Sequence, residues 1–292
     1  MVSRTPPKKI IEKLLKEVNF GCPIPGCGSP FLTIHHFDPP WSQKHSHNPD
    51  GMIALCPEHH NMADIGIYTK EQLRYFKKHP YVQDKLKVKW PWDPEKIVFR
   101  MGGSILFGSR AALTLESNKI LEVKKKFIPS LNRATFSFNM NIPNKKGDFM
   151  IKMIDNYLSA PIHNLKLLKF STKGHVFKIE HEDGTYLNLN FKRNSLNEFN
   201  KSLKVNFKNK DIISNTIKIV KKISLDSDNK VPIITILGHF STPNIDIHIL
   251  QSKINLICYF YHAEEVNLPP KVFLPGTSLR FIIGEIEILK FG

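Results

Sequence analysis

The sequence predicts an α+β protein whose two parts differ in character. Residues 21–64 hold three of the four cysteines and six of the thirteen histidines, set among glycines and prolines. Such a stretch cannot build its own apolar core, and a bound metal would supply what the apolar residues do not. Beyond residue 95, apolar runs of strand length predict a mostly antiparallel, β-rich domain with a minor helical part. We therefore expect two domains, residues 1–95 and 96–292.

Two short helices are expected in the first domain. Thr69 and Gln72 have the spacing of a capping box and predict a helix over residues 70–78. The run from Trp90 to Pro94 then interrupts the pattern, which places the domain boundary near residue 95. An earlier amphipathic helix, within residues 6–20, is predicted by Pro6-Pro7 and by apolar residues at helical spacing, namely Ile10, Ile11, Leu14, Leu15 and Val18.

The second domain contains runs rich in β-branched and aromatic residues. Ser195 and Glu198 form another capping-box match, so we expect one helix to interrupt the strands. The predicted strands cover residues 176–181, 185–191, 232–240, 245–249, 254–261 and 279–291.

The charge of the chain predicts a polyanionic partner such as nucleic acid. Lys and Arg together number 42 against 26 acidic residues, which gives a formal charge of +16 at pH 7. Most of the basic residues are Lys, which favours contacts with the phosphate backbone over reading of base edges. The alternative is a compositional bias that reflects no partner.

The N-terminus and the cysteines predict a cytoplasmic location. The opening residues, MVSRTPPKKIIEKLLKE, lack the apolar core and cleavage site of a signal peptide. No uncharged apolar stretch has the length of a membrane helix, so no contact with a membrane is expected. In a reducing compartment, four cysteines favour metal binding or burial over disulfides.

Four residues in two close pairs have the spacing of zinc ligands. Cys22 and Cys27 form the first pair, and Cys56 and His59 form the second after 28 intervening residues. Zinc binds such sets tetrahedrally, and a site with four protein ligands is closed and structural. The alternatives are two buried thiols and a surface histidine that never meet, or a Cys22–Cys27 disulfide.

A second, open cluster is predicted from the histidines that zinc leaves unused. His35 and His36 end an apolar run just before Asp38, and His60 directly follows the zinc ligand His59. Adjacent residues of a regular strand point to opposite faces, so His35 and His36 share a site only if the strand bends there. We interpret the two remaining histidines of this segment, His45 and His47, as ordinary loop residues.

These motifs resemble the zinc-knuckle branch of the HNH endonucleases, the His-Me finger nucleases. The resemblance covers roughly residues 20–78. It implies a ββα-metal module, in which a β-hairpin packs on a helix around one divalent catalytic cation and zinc holds the two halves together. The motifs that carry it are Cys22-x4-Cys27, Ile34-His35-His36 followed by Pro39, and Leu55-Cys56-Pro57-Glu58-His59-His60.

The resemblance also implies roles for single residues. His36 would be the general base that activates water, and His35 and His60 would hold the catalytic cation, usually Mg²⁺. His59 and His60 could exchange the zinc and catalytic roles, although the Cys-x2-His spacing favours His59 on zinc.

The sequence departs from the family pattern at its middle position. Where members of this branch often carry Asn, five residues before the third knuckle residue, this chain has Gly51. We assign the usual role of fixing the loop and orienting the base to Asn48, with Asn61 as the rival candidate.

The function implied is an endonuclease that binds double-stranded DNA through its phosphate backbone and hydrolyses it. Family analogy suggests restriction or anti-phage defence, with the β domain supplying substrate binding, sensing, or contact with a protein partner or activating ligand. Two alternatives stay open: a zinc-organised nucleic-acid-binding module without catalysis, and an RNA-cleaving nuclease. Lys124–Lys126 and Lys221–Lys222 are candidate phosphate contacts or simply solvated charge.

Overall fold

The protein is α+β with mostly antiparallel sheets, as a computed structural model shows. The structure describes residues 3–83, 85–90, 94–107, 110–115, 118–144, 146, 149–171, 174–241, 245–252, 254–258, 264–268, 272–273, 279–283 and 286–291. Among these residues no helix is long and apolar enough to cross a membrane. The helices are α1 Lys8–Glu17, α2 Pro57–Asp64, α3 Lys70–Lys78, α4 Leu196–Asn206 and α5 Lys210–Ile223.

The strands alternate with short connections along most of the chain. They are β1 Thr33–His36, β2 Met52–Leu55, β3 Lys85–Lys89, β4 Val98–Met101, β5 Ser104–Phe107, β6 Arg110–Leu115, β7 Asn118–Ile128, β8 Arg133–Pro143, β9 Phe149–Ile154, β10 Tyr157–Pro161, β11 Leu165–Phe170, β12 Val176–His181, β13 Tyr186–Asn194, β14 Val231–Ser241, β15 Ile245–Ile249, β16 Ile254–Cys258, β17 Glu264–Leu268, β18 Val272–Phe273, β19 Leu279–Ile283 and β20 Ile286–Phe291.

The chain divides into two compact units that are not continuous in sequence. The first contains residues 1–88 together with 159–182, and the second contains residues 89–158 and 183–292. Residues 159–182, which follow residue 95 in the sequence, belong to the first unit. Residues 159–182 contain the antiparallel pair of β11 and β12.

The first unit contains a β-hairpin followed at once by a helix. β1 pairs antiparallel with β2, with His35 opposite Ile53 and His36 opposite Met52. All four residues of β2 are buried, and α2 begins directly after β2, with Cys56 in extended conformation as its N-cap residue. The hairpin therefore presents the end of β1 to the side chains of α2.

Two further helices support the hairpin. α1 buries Leu14 and Leu15 and packs on β2 and β11, as its predicted apolar stripe requires. α3 begins at the predicted capping box, in which Thr69 and Gln72 exchange hydrogen bonds with each other's backbone. Its Lys77 is largely buried and donates to the backbone of Met52 at 2.8 Å. These helices confirm the two that the sequence predicts in this region.

Gly51 lies where no side chain fits. Its carbonyl accepts hydrogen bonds from the backbone N–H groups of Phe37 and Asp38, at 2.9 and 3.1 Å. A Cβ atom on residue 51 would overlap the backbone of Asp38. The close approach of these two backbones explains why this position is glycine.

The second unit is built from sheets and one helical pair. One sheet has the order β19-β20-β6-β7-β8-β9; the other runs β13-β14-β15-β16-β17, with β4 parallel to β14 and antiparallel to β5. α4 begins at the predicted Ser195–Glu198 capping box. A hydrophobic core of the second unit joins its helices to β4, β5 and β14. The buried residues of this core are Val98, Ile105, Phe107, Phe199, Leu203, Phe207, Val220, Val231 and Ile233.

The expectation of a single helix in this region was wrong. α5 follows α4, and the Asn209 side chain caps it by accepting from the backbone N–H groups of Asp211 and Ile212. Its sequence, KDIISNTIKIVKKI, is rich in β-branched residues, which favour strands by propensity. Val220 is buried in the core and its neighbours at helical spacing pack there, so burial of one face outweighs the propensity.

Replacement of Gly51 by Ala is expected to destabilise the protein by about 2–3 kcal/mol, because the added methyl group must separate the β1 and β2 ends. Chemical denaturation measures the change. Asp50→Ala, an exposed change in the same turn, is the control and should stay within about 0.5 kcal/mol of the wild type. Equal stability of Gly51→Ala and wild type would show that this backbone contact is not required.

Candidate functional site

Cys22, Cys27, Cys56 and His59 form one compact group. One ligand atom from each lies within 4.8 Å of those of the other three, so the group could hold a metal ion. The Sγ atoms of Cys27 and Cys56 are 3.8 Å apart, and His59 Nδ1 lies 3.5 Å from Cys22 Sγ and 3.1 Å from Cys56 Sγ. The predicted pairs therefore do meet in the fold.

The spacing of these atoms agrees with zinc rather than with a disulfide. Tetrahedral zinc has metal–sulfur bonds of about 2.3 Å and metal–nitrogen bonds of about 2.0 Å, so its ligand atoms lie about 3.5–3.8 Å apart. A disulfide would bring two sulfurs to about 2 Å, whereas all three cysteines are free. The donor set and its geometry are consistent with a zinc ion.

Local backbone geometry builds the first pair. Gly26 and Gly28 both have positive φ angles, of 79° and 58°, a region that glycine enters without strain. The backbone N–H of Cys27, the residue between these glycines, donates a hydrogen bond to the Ile24 carbonyl at 3.0 Å. The resulting tight turn presents both sulfurs on one side. Burial raises the pKa of the Cys22 thiol, and burial likewise raises that of Cys56, so a bound cation would be needed to keep both as thiolates.

A second group of possible metal ligands consists of His35, His60 and Asp64. Its ligand atoms also lie within 4.8 Å of one another. The two Asp64 carboxylate oxygens lie 3.2 Å from His35 Nδ1 and 3.0 Å from His60 Nδ1. His60 and Asp64 are four residues apart on α2 and so share one face of the helix, and that face meets the end of β1.

The environment of His35 keeps its ring neutral. Only 8% of this residue is exposed. Burial, followed by the neighbouring His60, lowers the pKa of His35 to about 4, although Asp64 acts in the opposite direction. A neutral imidazole has the lone pair that metal coordination requires.

His36 faces a different set of partners. Its Nε2 lies 3.1 Å from His47 Nδ1, and His47 Nε2 lies 2.9 Å from the backbone carbonyl of Ser3. The Trp41 ring stacks on His47 at a centroid distance of 5.0 Å and contacts the His36 ring at 5.1 Å. His47, which sequence analysis interpreted as an ordinary loop residue, is thus the side chain bonded to His36.

When both rings are neutral, these hydrogen bonds determine which nitrogen of each ring carries the hydrogen. The Ser3 carbonyl can only accept, so His47 Nε2 donates to it and His47 Nδ1 is an acceptor. His36 Nε2 must then donate to His47, which leaves His36 Nδ1 with a lone pair. Burial, then the neighbouring His47 and Arg4, lower the pKa of His36 below its ordinary value of 6.5. His36 is thus neutral and able to accept a proton at neutral pH.

The remaining predicted residues take the following positions. The Asn48 side chain accepts from the Asp50 N–H at 3.2 Å and caps the short 3₁₀ turn Pro49–Gly51, so it fixes the loop; its role toward the base stays a prediction. Asn61 is exposed on α2. His59 lies with the cysteines and His60 with His35.

Asp64 is a site residue that the sequence analysis did not assign. The signal was present, because His60 and Asp64 have the i, i+4 spacing that places two ligands on one helix face. An aspartate at the end of a short helix has many ordinary roles, however. Only the position of α2 against β1, which brings Asp64 to His35, distinguishes Asp64 from such an ordinary aspartate.

Two cavities of the first unit meet at the histidines. One, of about 390 Å³, is lined by both His35 and His36 together with His60 and Asp64. The other, of about 480 Å³, shares His36, His60 and Arg4 with the first and extends to Lys169 on β11. His35 and His36 therefore reach one space although they contact different partners.

Comparison of the chain with protein-family models, with curated proteins and with solved structures gives no match. Any assignment of function therefore depends on the residues and their geometry.

Wild-type protein is expected to hold about one tightly bound zinc in the Cys3His group, and Cys56→Ser is expected to lose it because three ligands bind zinc far more weakly. Elemental analysis after dialysis against a mild chelator measures the zinc. Ser46→Ala, outside the group, is the control. A folded, zinc-free wild type would contradict the assignment.

Proposed function

We propose that the protein is a metal-dependent endonuclease that hydrolyses phosphodiester bonds in DNA. The observation that carries the proposal is the juxtaposition of a three-ligand group, His35, His60 and Asp64, with a neutral histidine, His36, at one cavity. A ligand set with open positions and an adjacent general base is a sufficient arrangement for phosphodiester hydrolysis. The resemblance of the motifs to HNH endonucleases supports the same reaction.

The ligand group fits a divalent cation by its chemistry. Two imidazoles and one carboxylate suit first-row transition ions better than Mg²⁺, which prefers oxygen ligands. When bound, the cation would stabilise the charge that develops on the phosphate oxygens. We therefore propose a divalent cation at this group, with Mn²⁺ and Mg²⁺ both to be tested.

His36 is proposed to act as the general base through Nδ1, the ring nitrogen that keeps its lone pair. It takes a proton from the attacking water, whose oxygen forms the new bond to phosphorus. The bond from phosphorus to one sugar oxygen breaks, and that oxygen takes up a proton from solvent. His47 is proposed as a positioning residue, because its bond to Ser3 and its stacking on Trp41 hold the ring that orients His36.

The cavity that extends to β11 is proposed to hold the substrate backbone next to the scissile phosphate. Arg4 and Lys169 line it together with His36 and His60, and two cationic side chains in one groove suit a polyanionic strand. Burial, followed by the nearby Lys178, lowers the pKa of Lys169. A phosphate that contacts Lys169 would offset this cost, so the half-buried ammonium is a reasonable binding group for the substrate.

Wild-type protein with Mn²⁺ or Mg²⁺ is expected to nick or linearise supercoiled plasmid, and His36→Ala is expected to cut at least about 100-fold more slowly, because no other group takes the proton. Gel analysis of the plasmid forms measures the rate, with EDTA as the metal-free arm. The acidic limb of the wild-type pH–rate profile should lie below pH 6.5, since the pKa of His36 is lowered from that value.

His163→Ala is the matched control, because His163 is an exposed histidine of the same unit and should cut as wild type does. Binding of DNA without cutting in either metal would instead favour a nucleic-acid-binding module. Faster cutting of single-stranded RNA than of duplex DNA would reassign the substrate.

Lys169→Gln is expected to weaken DNA binding by up to about 5-fold and to reduce the slope of log K against log salt by about 1, since one phosphate contact is lost. Fluorescence anisotropy at several salt concentrations measures both. Lys166→Gln is the control, because Lys166 lies on the same strand but is exposed and paired with Glu180. Equal effects of the two changes would remove Lys169 from the substrate path.

A further inference from the structure

We propose that the second unit binds a divalent first-row transition-metal ion through His239, Asp246 and His248. The three residues offer ligand atoms that all lie within 4.8 Å of one another. Both groups described above belong to the first unit, so this site is additional to them. It does not depend on the proposed nuclease function.

The strand register brings these side chains to one face of the sheet. His239 of β14 is directly opposite His248 of β15, and Ser241 is directly opposite Asp246. Because side chains alternate along a strand, all four point to the same face. Their neighbours in sequence, which point to the other face, are buried apolar residues: Phe240, Ile247 and Ile249.

The two histidine rings and the carboxylate converge. The rings of His239 and His248 stack with centroids 3.9 Å apart and an interplanar angle of 14°. The two carboxylate oxygens of Asp246 lie 2.7 Å from His239 Nε2 and 3.9 Å from His248 Nε2. Asp246 also accepts a hydrogen bond from the Ser241 hydroxyl. The Nε2 atoms of both rings therefore face one carboxylate.

The hydrogen bonds of His239 point to a positive centre between this ring and the carboxylate. His239 Nδ1 lies 3.1 Å from the backbone carbonyl of Gly184, which can only accept, so Nδ1 carries the hydrogen. Nε2 of the neutral ring is then an acceptor, and it faces a carboxylate oxygen at 2.7 Å. Two acceptors at this distance repel each other unless a proton lies between them or both bind the same cation.

A metal ion satisfies this arrangement with the orientation that metal sites usually have. Histidines that bind metals commonly donate their other ring N–H to a backbone carbonyl, which fixes the ring and its tautomer, as Gly184 does here. Two imidazoles with one carboxylate favour Mn²⁺, Fe²⁺, Co²⁺, Ni²⁺ or Zn²⁺ over Mg²⁺ and Ca²⁺. The rival explanation is a proton on His239 Nε2, which would make the pair a simple hydrogen bond.

Cobalt titration of the full chain distinguishes the two explanations. Co²⁺ on the Cys3His group gives intense sulfur charge-transfer bands, whereas Co²⁺ on His and carboxylate ligands gives only weak d–d bands. Metal-free protein should therefore take up one sulfur-bound equivalent and two sulfur-free equivalents. Asp64→Asn should remove one of the sulfur-free equivalents, and His248→Ala should remove the other or weaken it at least about 10-fold.

His163→Ala, an exposed histidine outside all three groups, is the control and should keep every equivalent. An Asp64→Asn protein that takes up no sulfur-free Co²⁺ would overturn the proposal, and this arm needs no change in the new site itself. Retention of both sulfur-free equivalents by folded His248→Ala and Asp246→Asn, checked by circular dichroism, would overturn it equally. Neither result would bear on DNA cleavage, which is measured separately with His36→Ala.

Discussion

The position of α2 is the constraint on which the first unit depends. This helix has eight residues, which is too short to be stable by itself. Cys56, the N-cap residue, and His59, in the first turn, meet the Cys22–Cys27 turn. A metal ion bound there would hold α2 at its N-terminus, and the helix would carry His60 and Asp64 to the end of β1. A metal ion in the Cys3His group would thus fix the geometry of the other group without sharing a ligand with it.

The alternation of side chains along β1 divides the histidine pair between two environments. His35 is buried against Asp64 and His60, whereas His36 contacts His47 and the Trp41 ring. The sequence analysis required the strand to bend if the two were to share a site. Instead, both line one cavity while their rings contact different partners. Separate environments suit separate tasks, because a metal ligand and a proton acceptor need different partners for their rings.

Burial shifts the pKa values of the titratable groups in the first unit in opposite directions. It lowers the pKa of His35, His36 and Lys169 and raises that of the Cys22 thiol, in each case by disfavouring the charged form. Neutral imidazoles are suited to coordination and proton uptake, while buried thiols favour a bound cation and the half-buried ammonium of Lys169 favours an anion. The first unit therefore offers two groups of residues that could hold metal ions, and Lys169 on β11 is the proposed contact for an anionic strand.

The sequence by itself determined the local features of this protein. Capping boxes located α3 and α4, apolar periodicity located α1, and the close pairs Cys22–Cys27 and Cys56–His59 indicated a group that could hold a metal, because each of these signals lies within a few residues. Tertiary structure alone decided which distant residues meet. In the folded chain, residues 159–182 belong to the first unit, and His47 forms a hydrogen bond with His36. Close backbone contact leaves no room for a side chain at Gly51. These outcomes depend on strand register and helix placement, which arise from packing across the whole unit and leave no short-range pattern in the sequence.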